Sequence, residues 1–206
     1  DGKASAGTGS LRTSRPITNN NELEFINAKA STLSANTLIE NHKNLSLTNS
    51  TLSSEYGYTL EVSGDSTKLT MDDTSFIRTD TKDIYVVHNT STDFVIDGGN
   101  IAGFSKAVRN ESGAQLTLKS GNISTENILN DATGLITIDN YGKLIIEGGK
   151  VSSVATNPSG SNTKAIYNNG QGLTLTGGEI YCYSANSYSE CIDHSSSSTI
   201  SGGSIK

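Results

Sequence analysis

The sequence predicts an all-β fold, a right-handed parallel β-helix of about eight coils whose mean length, about 25 residues per coil, falls in the range of solenoid repeats. Three observations predict it. An octet of the form LTLTGGEI (173–180) recurs as FVIDGGNI (94–101), LTLKSGNI (116–123) and LIIEGGKV (144–151), with a shortened copy, TISGGSI, at 199–205. A second short apolar stretch, most often ending in Asn, precedes each octet from the second unit on. Leu, Ile, Val and Phe number only 45 of 206 residues. That is little for a conventional two-layer core, but enough for coils that cover one another.

The octets start at Leu23, Leu45, Leu69, Phe94, Leu116, Leu144, Leu173 and Ser198, an uneven but sustained period. Their third position is apolar throughout: Phe25, Leu47, Met71, Ile96, Leu118, Ile146, Leu175 and Ile200. Polar residues alternate with these, which is the period-two pattern of a strand with one buried face. Position eight is apolar again: Ala30, Leu52, Phe76, Ile101, Ile123, Val151, Ile180 and Ile205. Each octet therefore reads as two walls of a coil joined by a corner.

In the last five units the residue two before position eight is glycine: Gly99, Gly121, Gly149, Gly178 and Gly203. A glycine at one fixed point of a repeat predicts a bend with positive φ. The first three units carry Ala28, Ser50 and Thr74 there and are expected to be less regular.

The preceding strand reads Ile39-Glu40-Asn41, Val62-Ser63-Gly64, Val87-His88-Asn89, Val108-Arg109-Asn110, Ile138-Asp139-Asn140, Ile166-Tyr167-Asn168 and Ile192-Asp193-His194. The recurrent Asn41, Asn89, Asn110, Asn140 and Asn168 predict stacked amides that bond from coil to coil. A propeller blade needs about 40 residues, and a leucine-rich repeat carries a different Leu/Asn signature, so neither fits this shorter unit without helical periodicity.

Residues 1–22 read as a polar N-terminal segment or cap and 23–206 as the β-helix, expected to be part of a longer protein. The net charge of −6, with no basic run, predicts no nucleic-acid partner. No apolar stretch is long enough to span a bilayer, so no membrane insertion is expected. Cys182 and Cys191 lie in one loop, YCYSANSYSEC. Two thiols, a disulfide and metal or redox chemistry all remain open for them.

The stretches LTLKSGNI, AVRN, LIIEGGKV, AIYNNG and LTLTGGEI resemble the repeats of bacterial cell-surface β-helix proteins, notably large Gram-positive adhesin-like proteins. More distantly they are similar to the pectate-lyase-like superfamily. The likeness spans about 20–206. It implies an extracellular protein of the bacterial surface or wall, a recognition domain rather than an enzyme. The implied partner is a host surface or secreted protein, mucosal proteins and immunoglobulins included, or a glycan. A polysaccharide-binding or polysaccharide-degrading domain and a structural spacer are the alternatives.

Of the polygalacturonase motifs only Asp72-Asp73 has a counterpart, which argues against catalysis. Outward-facing His88, Arg109 and Asp139 are expected to stack on consecutive coils, as a ligand site or as a surface charge ladder. Asp72 and Asp97, at equal octet positions, are expected to stack and are weak candidates for calcium; otherwise no cofactor is expected. The longer segments 152–164 and 181–190 are expected to lie on one side and to bring Tyr167, Tyr181, Tyr183 and Tyr188 to a binding surface.

Overall fold

The computed structural model describes residues 9–127, 134–156, 162–185 and 188–206, with the backbone alone for Asn127. The described residues contain no helix. Parallel strands form one sheet of fifteen and one of eight, wound as a solenoid. The smaller sheet is one wall and stacks Ile17–Asn19, Ile39–Asn41, Leu60–Val62, Val87–Asn89, Lys106–Asn110, Leu135–Asn140, Thr163–Asn168 and Ser189–His194 in chain order. Asn19 and His194 hold equivalent places on its first and last strands, seven turns apart. The observed turn therefore matches the predicted coil in length. At a spacing of about 4.8 Å per layer the rod is roughly 34 Å long.

The fifteen-stranded sheet makes the other two walls. It is one sheet because Phe94–Gly103 and Gln115–Asn127 run round the corner between them without a break. The octet wall carries the Leu-x-Leu part of each repeat. The third wall runs from Gly9–Thr13 through Ala28–Thr32, Thr51–Ser54 and Phe76–Thr79 to Lys150–Ala155, Glu179–Ser184 and Ser204–Ile205. Gly9–Thr13 and Ile17–Asn19 belong to the segment read from the sequence as a polar extension or cap, and both pair with the coil beside them.

Alternation turns every other side chain of a wall inside, in columns that run along the rod. On the third wall one such column runs Ala30, Leu52, Ile77, Ile101, Ile123, Val151, Ile180 and Ile205, and all but the last are buried. Each fully buried Leu or Ile contributes about 1.5–3 kcal/mol. The interior is also polar in part. Asn89 donates to Asn110 Oδ1 at 2.7 Å, Asn110 to Asn140 at 2.6 Å, and Asn140 to Asn168 at 2.7 Å, all completely buried. The same amides also bond backbone carbonyls, among them Gln115 O and Lys143 O. Asn19 and Asn41 make a separate pair at 2.6 Å. Small hydroxyls take further interior places, as where Thr67 donates to Ser91. A polar ladder in place of apolar bulk explains how so few hydrophobic residues fill the rod.

The third and fourth coils depart from the expected register on the octet wall. Leu69 pairs with Ile96, and Phe94 faces Thr67. The third coil keeps the expected pairing with the second, Leu45 with Leu69 and Leu47 with Met71, so the slip falls between the third and fourth coils, where turns of equal length, four residues each, bring Thr67 and Phe94 to the same place. A shift of two leaves the alternation unchanged, so the pattern alone cannot register the strand. On the third coil the wall strand is Leu60-Glu61-Val62, and Val62 interrupts the asparagine column. Ile77 is the buried residue and Phe76 is 39% exposed, the reverse of the expected assignment.

The corner between the octet and third walls follows the glycine expectation. Gly99, Gly121, Gly149, Gly178 and Gly203 all have positive φ. At Gly121 (φ 92°) a Cβ would stand 2.4 Å from Gly98 O, so both conformation and contact require glycine. On the first two coils Asn27 (φ 50°) and Asn49 (φ 46°) make the left-handed bend, which Asn tolerates better than most residues. Asn49 also donates to Asn27 at 2.8 Å.

Candidate functional site

Two outward surfaces carry concentrated polar chemistry. On the asparagine wall, residues between the buried apolar and Asn positions point outward and stack as Glu61, His88, Arg109, Asp139, Tyr167 and Asp193. The expected neighbourhood of His88, Arg109 and Asp139 is therefore present, with Tyr167 one coil beyond. Arg109 donates through Nε to Glu111 (2.9 Å) and through Nη1 to Asp139 (3.0 Å). His88 Nε2 lies 3.1 Å from Glu111 Oε1, and its ring stacks on Tyr58 at 4.7 Å. The Tyr85 hydroxyl donates to the Asp139 oxygen that Arg109 holds. Tyr141 lies against the Arg109 guanidinium at 4.4 Å and meets Tyr167 edge-on.

The charged groups of this cluster pair with one another, while Asp139 Oδ1 and His88 Nδ1 are buried without a hydrogen-bond partner among the described residues. Burial works against the Arg109 charge, but Glu111, Tyr85 and Asp139 more than offset it and hold the proton more firmly than usual. Burial likewise opposes the Glu111 charge, and Arg109 and His88 outweigh it, so its carboxyl ionises below the ordinary value. Tyr85 is pushed upward by burial and by Asp139. Asp139 is only 3% exposed. General acid–base work needs a group within reach of a substrate proton, and here the cation and the carboxylates are engaged with one another. Lys164 adds a further pair with Asp193 beside Tyr167.

The sequence reading missed the groups that complete this cluster. Tyr58 and Tyr85 stand two residues before the buried Leu60 and Val87, while Glu111 and Tyr141 follow Asn110 and Asn140 directly. Carrying the period-two alternation one step past outward Arg109 and Asp139 would have found Glu111 and Tyr141, whereas Tyr58 and Tyr85 share the parity of buried Leu60 and Val87 and the rule would have turned them inward.

The second surface is the third wall. Its outward column runs Arg12, Ser31, Ser53, Arg78, Ala102, Ser124, Ser152 and Tyr181. Beside it run Ser10, Lys29, Thr51 and Phe76. On the first coils Lys29, Ser31, Ser53, Phe76 and Arg78 line an open groove of about 450 Å³. A neighbouring groove of about 600 Å³ shares Ser31 and Ser53 and reaches Arg12, Tyr56 and Asp80. Among the described residues neither Arg12 nor Lys29 has an ion-pair partner, and Arg78 reaches Asp80 only at 4.0 Å with both side chains well exposed. Such a pair is worth little.

The four expected tyrosines are divided. Tyr181 and Tyr183 are at the far end of the third wall, where Lys150 lies 5.0 Å over the Tyr181 ring and Tyr183 is 46% exposed. Tyr188 stands where the chain enters the asparagine wall and donates to Glu190. Tyr167 is on the asparagine wall itself. Parts of the two loops expected to frame this surface, 157–161 and 186–187, lie outside the described residues.

Asp72 and Asp97 do not stack, because Asp97 lies opposite Thr70. The Asp72 carboxylate takes hydrogen bonds from Ser75, Thr74 and the Asn49 backbone, led by Ser75, and these hold its pKa low. Ser120 and Lys68 do the same for Asp97, with Lys68 at 3.2 Å. The expected calcium pair is thus two separately satisfied carboxylates. No group of three His, Cys, Asp or Glu suited to a metal ion occurs among the described residues. Cys182 and Cys191 form a disulfide, settling the alternatives left open for them.

No protein-family model, curated protein or solved structure matches the chain.

Proposed function

We propose that the chain is a non-catalytic recognition domain of an exported bacterial surface protein, binding a glycan or a host protein across the third wall of its solenoid. The observation that carries this reading is the contrast between the two polar surfaces. On the asparagine wall Arg109, His88, Glu111 and Asp139 engage one another. On the third wall an open groove exposes Lys29, which has no ion-pair partner among the described residues, Arg78, which reaches Asp80 only at 4.0 Å, and the ring of Phe76. The resemblance of the repeats to adhesin-like surface proteins supports export. So does the Cys182–Cys191 bridge, since disulfides persist mainly in oxidising compartments.

The test is binding of the purified chain to an array of plant, microbial and host glycans beside mucosal proteins and immunoglobulins. Saturable binding to one class, lost on crowding the groove with Ser53→Trp, supports the reading. Silence across the array would favour a spacer. Shortening of an acidic polysaccharide during incubation would make the domain an enzyme.

A further inference from the structure

We infer that the first coils of the third wall form a binding site for a linear anionic glycan, held directly by Arg12, Lys29 and Arg78 over a floor of Ser31 and Ser53. This rests on the recognition reading above and names its ligand class and its residues.

The register sets the spacing. Arg12, Ser31, Ser53 and Arg78 are consecutive members of one outward column, so the two guanidinium groups bracket two serines across three layers. Three layers span about 14 Å. Lys29 belongs to the adjacent column, beside Ser10 and Thr51, and Phe76 follows in that column on the coil of Arg78. The positive charges are thus spread along the rod axis, which suits a ligand with anionic groups at intervals better than a single compact anion. The chain as a whole carries −6, whereas here three cations stand against two carboxylates, Glu55 and Asp80, which line the neighbouring groove that Arg12 reaches.

The rest of the groove favours sugar over peptide. Protein interfaces take most of their affinity from apolar anchors seated in desolvated pockets. This groove is open, and its floor is hydroxyl-rich, with short side chains that let a chain lie close to the sheet. Phe76 adds one exposed ring of the kind that packs on a sugar face. Guanidinium groups pair with carboxylate or sulfate through two parallel hydrogen bonds, so both kinds of acidic sugar suit the site. Direct pairing of this kind needs no bridging divalent ion.

The test measures binding of the intact chain to polygalacturonate, chondroitin sulfate, neutral dextran and poly-glutamate, with and without a chelator. Arg78→Gln and Lys29→Gln are read beside the parent, with thermal unfolding as the control for folding. The expected result is binding to one or both acidic glycans, unchanged by chelator and weakened by salt. Each substitution is expected to weaken it about tenfold, with unfolding unchanged. Preference for the carboxylated or the sulfated polymer identifies the source of the anion. Equal binding of poly-glutamate, or loss of binding with chelator, would overturn the inference. Binding of dextran that Arg78→Gln leaves intact would overturn it while leaving the recognition reading standing. Failure of every polymer here and every ligand on the array would remove both.

Discussion

Asn110 donates its side-chain amide to Asn140 Oδ1 at 2.6 Å while accepting from Asn89 at 2.7 Å, and all three side chains are completely buried. Each amide satisfies its neighbour, so removing one leaves two others short of a partner. Asn110→Ala is expected to lower stability by about 2–4 kcal/mol, from the cost of unsatisfied buried polar groups. Urea unfolding checks it, and a loss below about 1 kcal/mol, the net worth of a single ordinary hydrogen bond, would show that the ladder contributes little.

Val62 sits in the asparagine column between Asn41 and Asn89. Val62→Asn gives its new amide a donor on one side and an acceptor on the other, and is expected to cost less than about 1 kcal/mol. Val87→Asn puts the same group into an apolar column between Leu60 and Val108. It is expected to cost about 3 kcal/mol or more. Equal costs at the two positions would refute the column argument.

Gly121 and Gly113 share positive φ, 92° and 84°, but only Gly121 is crowded by the coil below, since nothing lies within 4 Å of a Cβ built at Gly113. Gly113→Ala should cost about 1–2 kcal/mol from conformation alone. Gly121→Ala adds the clash with Gly98 O and should cost at least about 3 kcal/mol. Thermal unfolding of the pair separates the two contributions.

Glu111 ionises below its ordinary value of 4.5 in the folded chain, burial being outweighed by Arg109 and His88. A depressed carboxyl adds stability that is fully present above the unfolded pKa and is lost as pH falls through the folded one. Glu111→Gln should therefore lower stability at pH 7 and flatten the decline below about pH 4.5. Lys164 shifts upward through Asp193, so its contribution holds up to the ordinary 10.5 and fades as pH rises through the folded value. Stability curves for the parent, Glu111→Gln and Lys164→Gln across pH 3 to 12 test both signs.

The repeat made the coils, the glycine corner and the asparagine column legible, because each recurs in sequence with an unmistakable residue type. On the octet wall the register was legible except between the third and fourth coils. Thr67 and Leu69 present the same alternation, and only the equal turns before Thr67 and Phe94 decide between them. The error then spread to Asp72 and Asp97, whose expected pairing depended on that register. The His88, Arg109 and Asp139 column was readable because its coils keep in step. Arg12 and Lys29 were not, since the first coils lack the glycine octet and Arg12 was assigned to a polar segment.

Parallel stacking confines each coil's contacts mainly to its immediate neighbours, and stability becomes a sum over adjacent layers. Phe94 and Leu116 stand directly one above the other. Excising 94–115 would bring Leu116 to the place Phe94 held, behind Asp93, and the rod would close one storey shorter. Length in such a molecule is a countable, heritable quantity. Unequal recombination between repeats can lengthen or shorten the rod by whole storeys and leave the remaining ones in register.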